Sequence, residues 1–171
     1  MAVRDIVYFP DKRLREKSTS IAEINEEIKQ LAADMVETMH HYNGIGLAAI
    51  QIGVPLRIFI MEINEEENDN TTPPMAIINP EIVSYSQEKS IYKEGCLSIP
   101  DCYSEVERPS NIKLQYQDLE GKTHLIELGG LQATCVQHEI DHLDGTLFID
   151  HISKLKRDRI IKKMKNINKQ K

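Results

Sequence analysis

The chain has 171 residues and a net charge of −6, with 40% hydrophobic and 28% charged residues. That balance belongs to a soluble globular protein of one ordinary domain, spanning residues 1–171. No apolar run approaches the roughly 20 residues of a membrane-crossing helix, and the N-terminal "MAVRDIVYFPDKRLREKS" lacks an uninterrupted secretory h-region. The three cysteines, Cys96, Cys102 and Cys135, are too few and too odd for a disulfide framework, so a reducing cytoplasm is expected.

In chain order, Ile24, Ile28, Leu31, Met35, Met39 and Tyr42 recur every three or four residues. They predict an amphipathic helix from about Asn25 to Tyr42, capped by Asn25 and stopped by "NGIG". "LRIFIMEI" is rich in branched and aromatic residues and predicts a strand. "NEEENDNTTPP" is polar, acidic and closed by two prolines, a solvated loop. "MAIINPEIVSYS" predicts a strand broken at Pro80, and "NIKLQYQDLEGKTHLIEL" alternates on both sides of "DLEG" as a hairpin does. "LQATCVQHEIDHLDG" has helical periodicity and stops at Gly145. A second helix runs from Ser153 to about Asn168, with Ile160, Met164 and Ile167 on one side. Strands and helices do not alternate regularly, which favours an α+β fold over a doubly wound sheet.

"QHEIDHLDG" carries the chemistry. His138 and His142 lie four apart, so on a helix they share a face and can reach one metal at roughly 2.0–2.1 Å. Glu139 is rotated about a hundred degrees from His138, away from the ligand direction yet within reach of a water. Two ligands and a base on one rigid element is the H-E-x-x-H logic of metal-dependent hydrolysis. Two histidines with ordinary structural roles remain the alternative at this point. Leu131, Thr134 and Cys135 share the face of His138, either as core or as one wall of an apolar pocket.

A third ligand is needed. A third histidine six residues after the second is ruled out because position 148 is Phe, and no glutamate follows Gly145. His151 lies beyond the glycine stop and is a weak candidate. Upstream, Cys96 in "EGCLSIP" stands next to a glycine, as expected where backbone must come close to something. A buried structural cysteine is the competing reading.

"GIGLAAIQ" (44–51), "EGCLS" (94–98) and "QHEIDHLDG" (137–145) together resemble, in order and spacing, the three signature segments of the peptide deformylase family, and the similarity covers nearly the whole chain. The resemblance implies an α+β fold in which antiparallel strands surround a central helix carrying the H-E-x-x-H segment, with a C-terminal helix. It implies a metal held by Cys96, His138 and His142, with one position left open. Ferrous iron is the implied native metal, and Zn2+, Ni2+ or Co2+ can substitute; the soft thiolate also suits zinc. The implied reaction removes the formyl group from the N-terminal formyl-methionine of nascent polypeptides and releases formate. Glu139 is then the general base and acid, while Gln51 and the backbone N–H of Leu97 stabilise the oxyanion. Gly46 would hydrogen-bond the substrate backbone, and Ile45, Leu131 and Cys135 would line the methionine pocket. Arg108 matches a frequent basic position of the family and is given no role. Cys102 is expected to be an ordinary thiol.

The charge is unevenly placed. From Ile152 onward nine Lys or Arg face one acid, Asp158, so the remaining body carries −14. The basic helix either packs as a solvated cover or makes a salt-dependent contact with ribosomal RNA, which the resemblance favours. No DNA or membrane partner is expected. Two other readings stay open: an H-E-x-x-H metalloprotease cutting internal peptide bonds, and a structural zinc domain with a closed four-ligand site.

Overall fold

The computed structural model describes residues 2–63 and 73–169; the acidic stretch at 64–72 lies outside the described residues. Helix α1 spans Glu26–His41, with the Asn25 side chain accepting from the Ile28 N–H at its start. It ends at Tyr42, followed by Asn43 in the left-handed region at φ 58°. Both limits agree with the sequence reading. Strands β1 (Gly46–Ala48), β2 (Ile58–Met61), β3 (Met75–Tyr85), β6 (Asn111–Gln117) and β7 (Thr123–Gly129) form one antiparallel sheet in the order β1-β2-β3-β6-β7. Strands β4 (Lys89–Cys96) and β5 (Ile99–Pro109) form a separate hairpin. Helix α2, Gly130–Leu143, contacts both sheets, and α3, Lys154–Lys169, closes the chain.

Side-chain alternation explains the layering. On β2, Phe59 and Met61 point into the cluster that includes Ile77, Leu114, Ala133 and Val136, on the α2 side. Ile58 and Ile60 point into the opposite cluster with Leu31, Met35 and Met39 of α1. Buried on both faces, this strand reads as an unbroken apolar run. Helix α2 is buried continuously from Ala133 to Glu139, so it has no solvated face there and lies at the centre of the molecule. It ends at Leu143 with Asp144 as cap, and Gly145 follows in the left-handed region at φ 79°, where a Cβ would stand 2.5 Å from the Arg15 carbonyl oxygen. A third cluster joins Ile99 and Val106 of β5 to Phe148, Ile160 and Met164, so α3 packs its apolar side on the hairpin. The side chain of Ile167 lies outside those described.

Two details differ from the sequence reading. Pro80 does not end its strand; β3 continues through a one-residue shift in its pairing with β6 between Ile78 and Glu81, a β-bulge that absorbs the missing N–H. The hairpin β4–β5 had no counterpart among the predicted elements. Its two arms are joined by the Leu97–Ser98 turn, and β5 bulges at Pro100–Cys102, with Asp101 at φ 61°.

Asp34 ties the N-terminus to α1. It accepts from the Ala2 N–H at 3.0 Å, from Arg4 Nε at 3.1 Å and Nη2 at 2.8 Å, and from Gln30 at 2.8 Å. The Arg4 hydrogen bonds hold its carboxyl below the ordinary value. A lowered native value means the stabilisation is complete above the unfolded-state value and fades as pH falls through the native one. Asp34→Ala is therefore expected to lower unfolding stability by about 2–3 kcal/mol near neutrality. The gap from the parent, read by denaturant unfolding of metal-free protein, should narrow below about pH 4.

Candidate metal and catalytic site

Three elements meet behind the β1 edge. Helix α2 brings His138 and His142 one turn apart, and β4 ends at Cys96. The His142 Nε2 atom lies 3.3 Å from Cys96 Sγ and 3.2 Å from His138 Nε2. A tetrahedral ion with ordinary Zn–S and Zn–N bonds spaces such ligands roughly 3.3–3.6 Å apart, so the donor set fits one ion. Among the described residues, these three form the one group of metal-ligating side chains whose ligand atoms all fall within 4.8 Å. His151, the weaker candidate, is not among them; its Nε2 sits on Asp141 at 2.8 Å.

The His138 ring is oriented from behind. His138 Nδ1 donates to Glu94 Oε1 at 3.0 Å, which leaves Nε2 as the ligand atom. Glu94 is buried and is gripped by Arg108 through Nε at 2.7 Å and Nη2 at 3.0 Å. Burial favours the neutral acid at Glu94, but the hydrogen bonds from His138 and Arg108 outweigh it and hold the carboxyl below its ordinary value. Arg108 Nη1 also donates to Asp141 at 2.8 Å. Burial disfavours charge on His142 and keeps that ring neutral, the form a metal requires. Burial opposes charge on His138 too, yet the Cys96 sulfur and Glu94 carboxylate raise its pKa well above the ordinary value.

Glu139 follows His138 on α2, and both line one cavity. Its Oε1 is 3.8 Å from His138 Nε2, and its buried Oε2 has no hydrogen-bond partner among the described residues. Burial pushes its carboxyl up to about 7. Gly46 explains how backbone comes so close: a Cβ there would lie 3.0 Å from Glu139 Oε1 and 3.0 Å from Cys135 Sγ. Gln51 is locked by the Ala48 N–H donating to its Oε1 at 2.9 Å. That aims Nε2 at Ser98 Oγ, 3.1 Å away, and at Cys96 Sγ, 3.3 Å away. The extended N-terminal segment straps these pieces together, with the Val7 N–H on the Gln51 carbonyl and the Phe9 N–H on the Ser98 carbonyl.

A cavity of about 460 Å³ opens beside the donors. Ile45, Gly46, Leu97, Leu131 and Cys135 line it with His138 and Glu139, so every sequence-derived site residue except His142 borders it. Leu131 and Ile45 are exposed at the rim, whereas Cys135 is buried, its thiol pushed well up by burial. Cys102 is buried with Ile99 and Val106, away from the donors, as an ordinary core thiol. The sequence reading missed Glu94 and Asp141 altogether, although Glu94 sits two residues before Cys96 and Asp141 between the histidines. Tyr42, Tyr92 and Tyr103, which also line the cavity, carried no signal beyond their type.

Residues 3–158 match the family model for polypeptide deformylase. The chain belongs to the polypeptide deformylase family. Among its relatives, the peptide deformylase of Bartonella tribocorum is 52% identical over 171 residues, covering 100% of this chain and 96% of the relative. That of Nitrobacter hamburgensis is 55% identical over 165 residues, covering 95% and 94%. The crystal structure of peptide deformylase from Ehrlichia chaffeensis superposes with a TM-score of 0.91 at 44% identity, covering 98% of this chain and 97% of that one. The same enzyme in complex with actinonin gives 0.91 at 46%, covering 97% and 98%. As a polypeptide deformylase the chain is a hydrolase that removes the formyl group from the N-terminal formyl-methionine of nascent peptides. The α+β architecture, with α2 between the antiparallel sheets, is the family's. Among the described residues no helix is long and apolar enough to cross a membrane.

Proposed function

We propose that residues 1–171 form one catalytic domain in which Cys96, His138 and His142 hold a divalent ion and Glu139 moves the proton. The observation that carries this reading is the convergence of the three ligand atoms beside a buried carboxylate with a free oxygen. When bound, the ion supplies Lewis acidity at its open position, ferrous iron being the metal the resemblance implies and zinc, nickel or cobalt its replacements. Glu139 accepts a proton from the attacking water and delivers it to the departing amine; a carboxyl near 7 suits both directions at neutral pH. The Gln51 amide, already aimed at the sulfur, and the Leu97 N–H stabilise the charge that develops on the formyl oxygen. Strand β1 is a sheet edge, so Gly46 offers main-chain hydrogen bonds to an extended substrate. Ile45, Leu131 and Cys135 receive the methionine side chain.

The test is formate release from a formyl-Met peptide, with the peptide product checked by mass. Formate with every downstream bond intact is the expected result. Internal cleavage without formate would establish the metalloprotease reading instead.

The reading also assigns the enzyme to the cytoplasm, with helix α3 as a weak, reversible ribosome contact near the exit tunnel. Supporting this, Ile160 and Met164 face the body while Lys156, Arg159 and Lys162 are exposed. Reversing those three charges keeps the packed face and should reduce low-salt co-sedimentation with ribosomes on the order of tenfold. Unchanged co-sedimentation would remove the ribosome from the proposal.

A further inference from the structure

We infer that Asp141 and His151 are positioning residues for the ligand His138, acting from the surface through Arg108 and Glu94. The inference rests on the ion site proposed above. Five side chains run in series. His151 Nε2 meets Asp141 Oδ2 at 2.8 Å, and Arg108 Nη1 donates to that same oxygen at 2.8 Å. The rest of the guanidinium forks onto Glu94, whose Oε1 takes the His138 Nδ1 hydrogen at 3.0 Å.

The arrangement grips α2 at two points one turn apart. His138 and Asp141 are i and i+3, yet both are tied to one Arg108–Glu94 unit on the β4–β5 hairpin. That hairpin also carries Cys96. The two ties therefore set the rotation and height of α2 relative to the sulfur, and with them the spacing of the three ligand atoms. Glu94 and Arg108 are buried and fixed by their surroundings, but the Asp141 side chain is 23% exposed. A carboxylate with that exposure keeps one rotamer only where its partners hold it, and Arg108 holds this one from inside. His151, from the short helical turn at Phe148–His151, approaches the same oxygen from outside. Outer partners of metal ligands commonly change metal affinity by about 10–100-fold, and His151, four links from His138, should act below that range.

The experiment is cobalt(II) titration of metal-free protein, read by visible absorption, alongside the melting temperature of the same metal-free samples. His151→Ala should weaken cobalt binding about three- to tenfold with little change in metal-free melting temperature. His151→Gln, which keeps a donor on Asp141, should restore most of the affinity. In an Asp141→Ala background the His151→Ala step should have no further effect, because the acceptor it uses is already gone. Unchanged affinity in His151→Ala, an effect that glutamine does not rescue, or additive losses in the double variant would each overturn the inference. Cys96→Ala separates the two levels: if it binds cobalt as the parent does, the ion-site reading itself has failed.

Discussion

Replacing Glu139 with alanine lowers the rate of formate release from a formyl-Met peptide by about 10²–10⁴-fold while leaving metal content unchanged. The separation follows from geometry. Glu139 is on the same helix as both histidines but is rotated off their face, and His138 takes its orientation from Glu94. Removing the Glu139 carboxylate therefore disturbs neither the three ligand atoms nor the hydrogen bond that orients His138. Its cost to folding should be small or negative. The group is buried, its Oε2 lacks a partner among the described residues, and burial already pushes its pKa to about 7. A buried, poorly paired group at the point of chemistry is what a trade-off between activity and stability looks like. Metal analysis, steady-state kinetics and melting temperature on one preparation check all three parts. An alanine variant with parental turnover would remove Glu139 from the mechanism.

Arg108→Met is expected to cost about 3–5 kcal/mol of stability, the largest loss foreseen for a residue that touches neither ligand atoms nor cavity. Arg108 is 5% exposed and stands between two carboxylates, Glu94 and Asp141. Burial by itself would make its charge costly; the two acids keep it charged. Without the guanidinium, Glu94 is left buried with its charge opposed by His138 alone. The penalty is that of an orphaned charge, so adding Glu94→Gln should recover part of it, although His138 would then lose its carboxylate partner. Arg108→Lys should recover little, because a single ammonium cannot reproduce the fork onto both Glu94 oxygens. Denaturant unfolding of the three variants without metal measures this. If Arg108→Met unfolds at the parental midpoint, the buried network is not what holds the hairpin to α2.

Much of the site could be read from the residues. His138, Glu139 and His142 carry their own geometry, since four residues make about one helical turn and the pattern means the same thing in any fold. Asn25, the "NGIG" stop and the "DLEG" hairpin were legible for a similar reason: each is decided by atoms within a few residues. The β4–β5 hairpin was not. Its arms, "KSIYKEGC" and "IPDCYSEVERP", interrupt alternation with charges, a glycine and a proline, and the bulge at Pro100–Cys102 breaks the period further. Arg108 looked like any basic position because nothing local marks an arginine as buried; that depends on Glu94 and Asp141 arriving from other elements.

The sequence by itself determined the chemical types: two imidazoles and a carboxylate on one helix, a thiol beside a glycine, and an amide in the first signature segment. Short-range backbone geometry is enough for that. Only the tertiary structure decided that the Cys96 sulfur lies 3.3 Å from His142 Nε2 across 46 residues, and that one buried arginine ties the thiol's hairpin to the histidines' helix. Those distances depend on how two separately formed elements pack around a shared core, which no local pattern encodes.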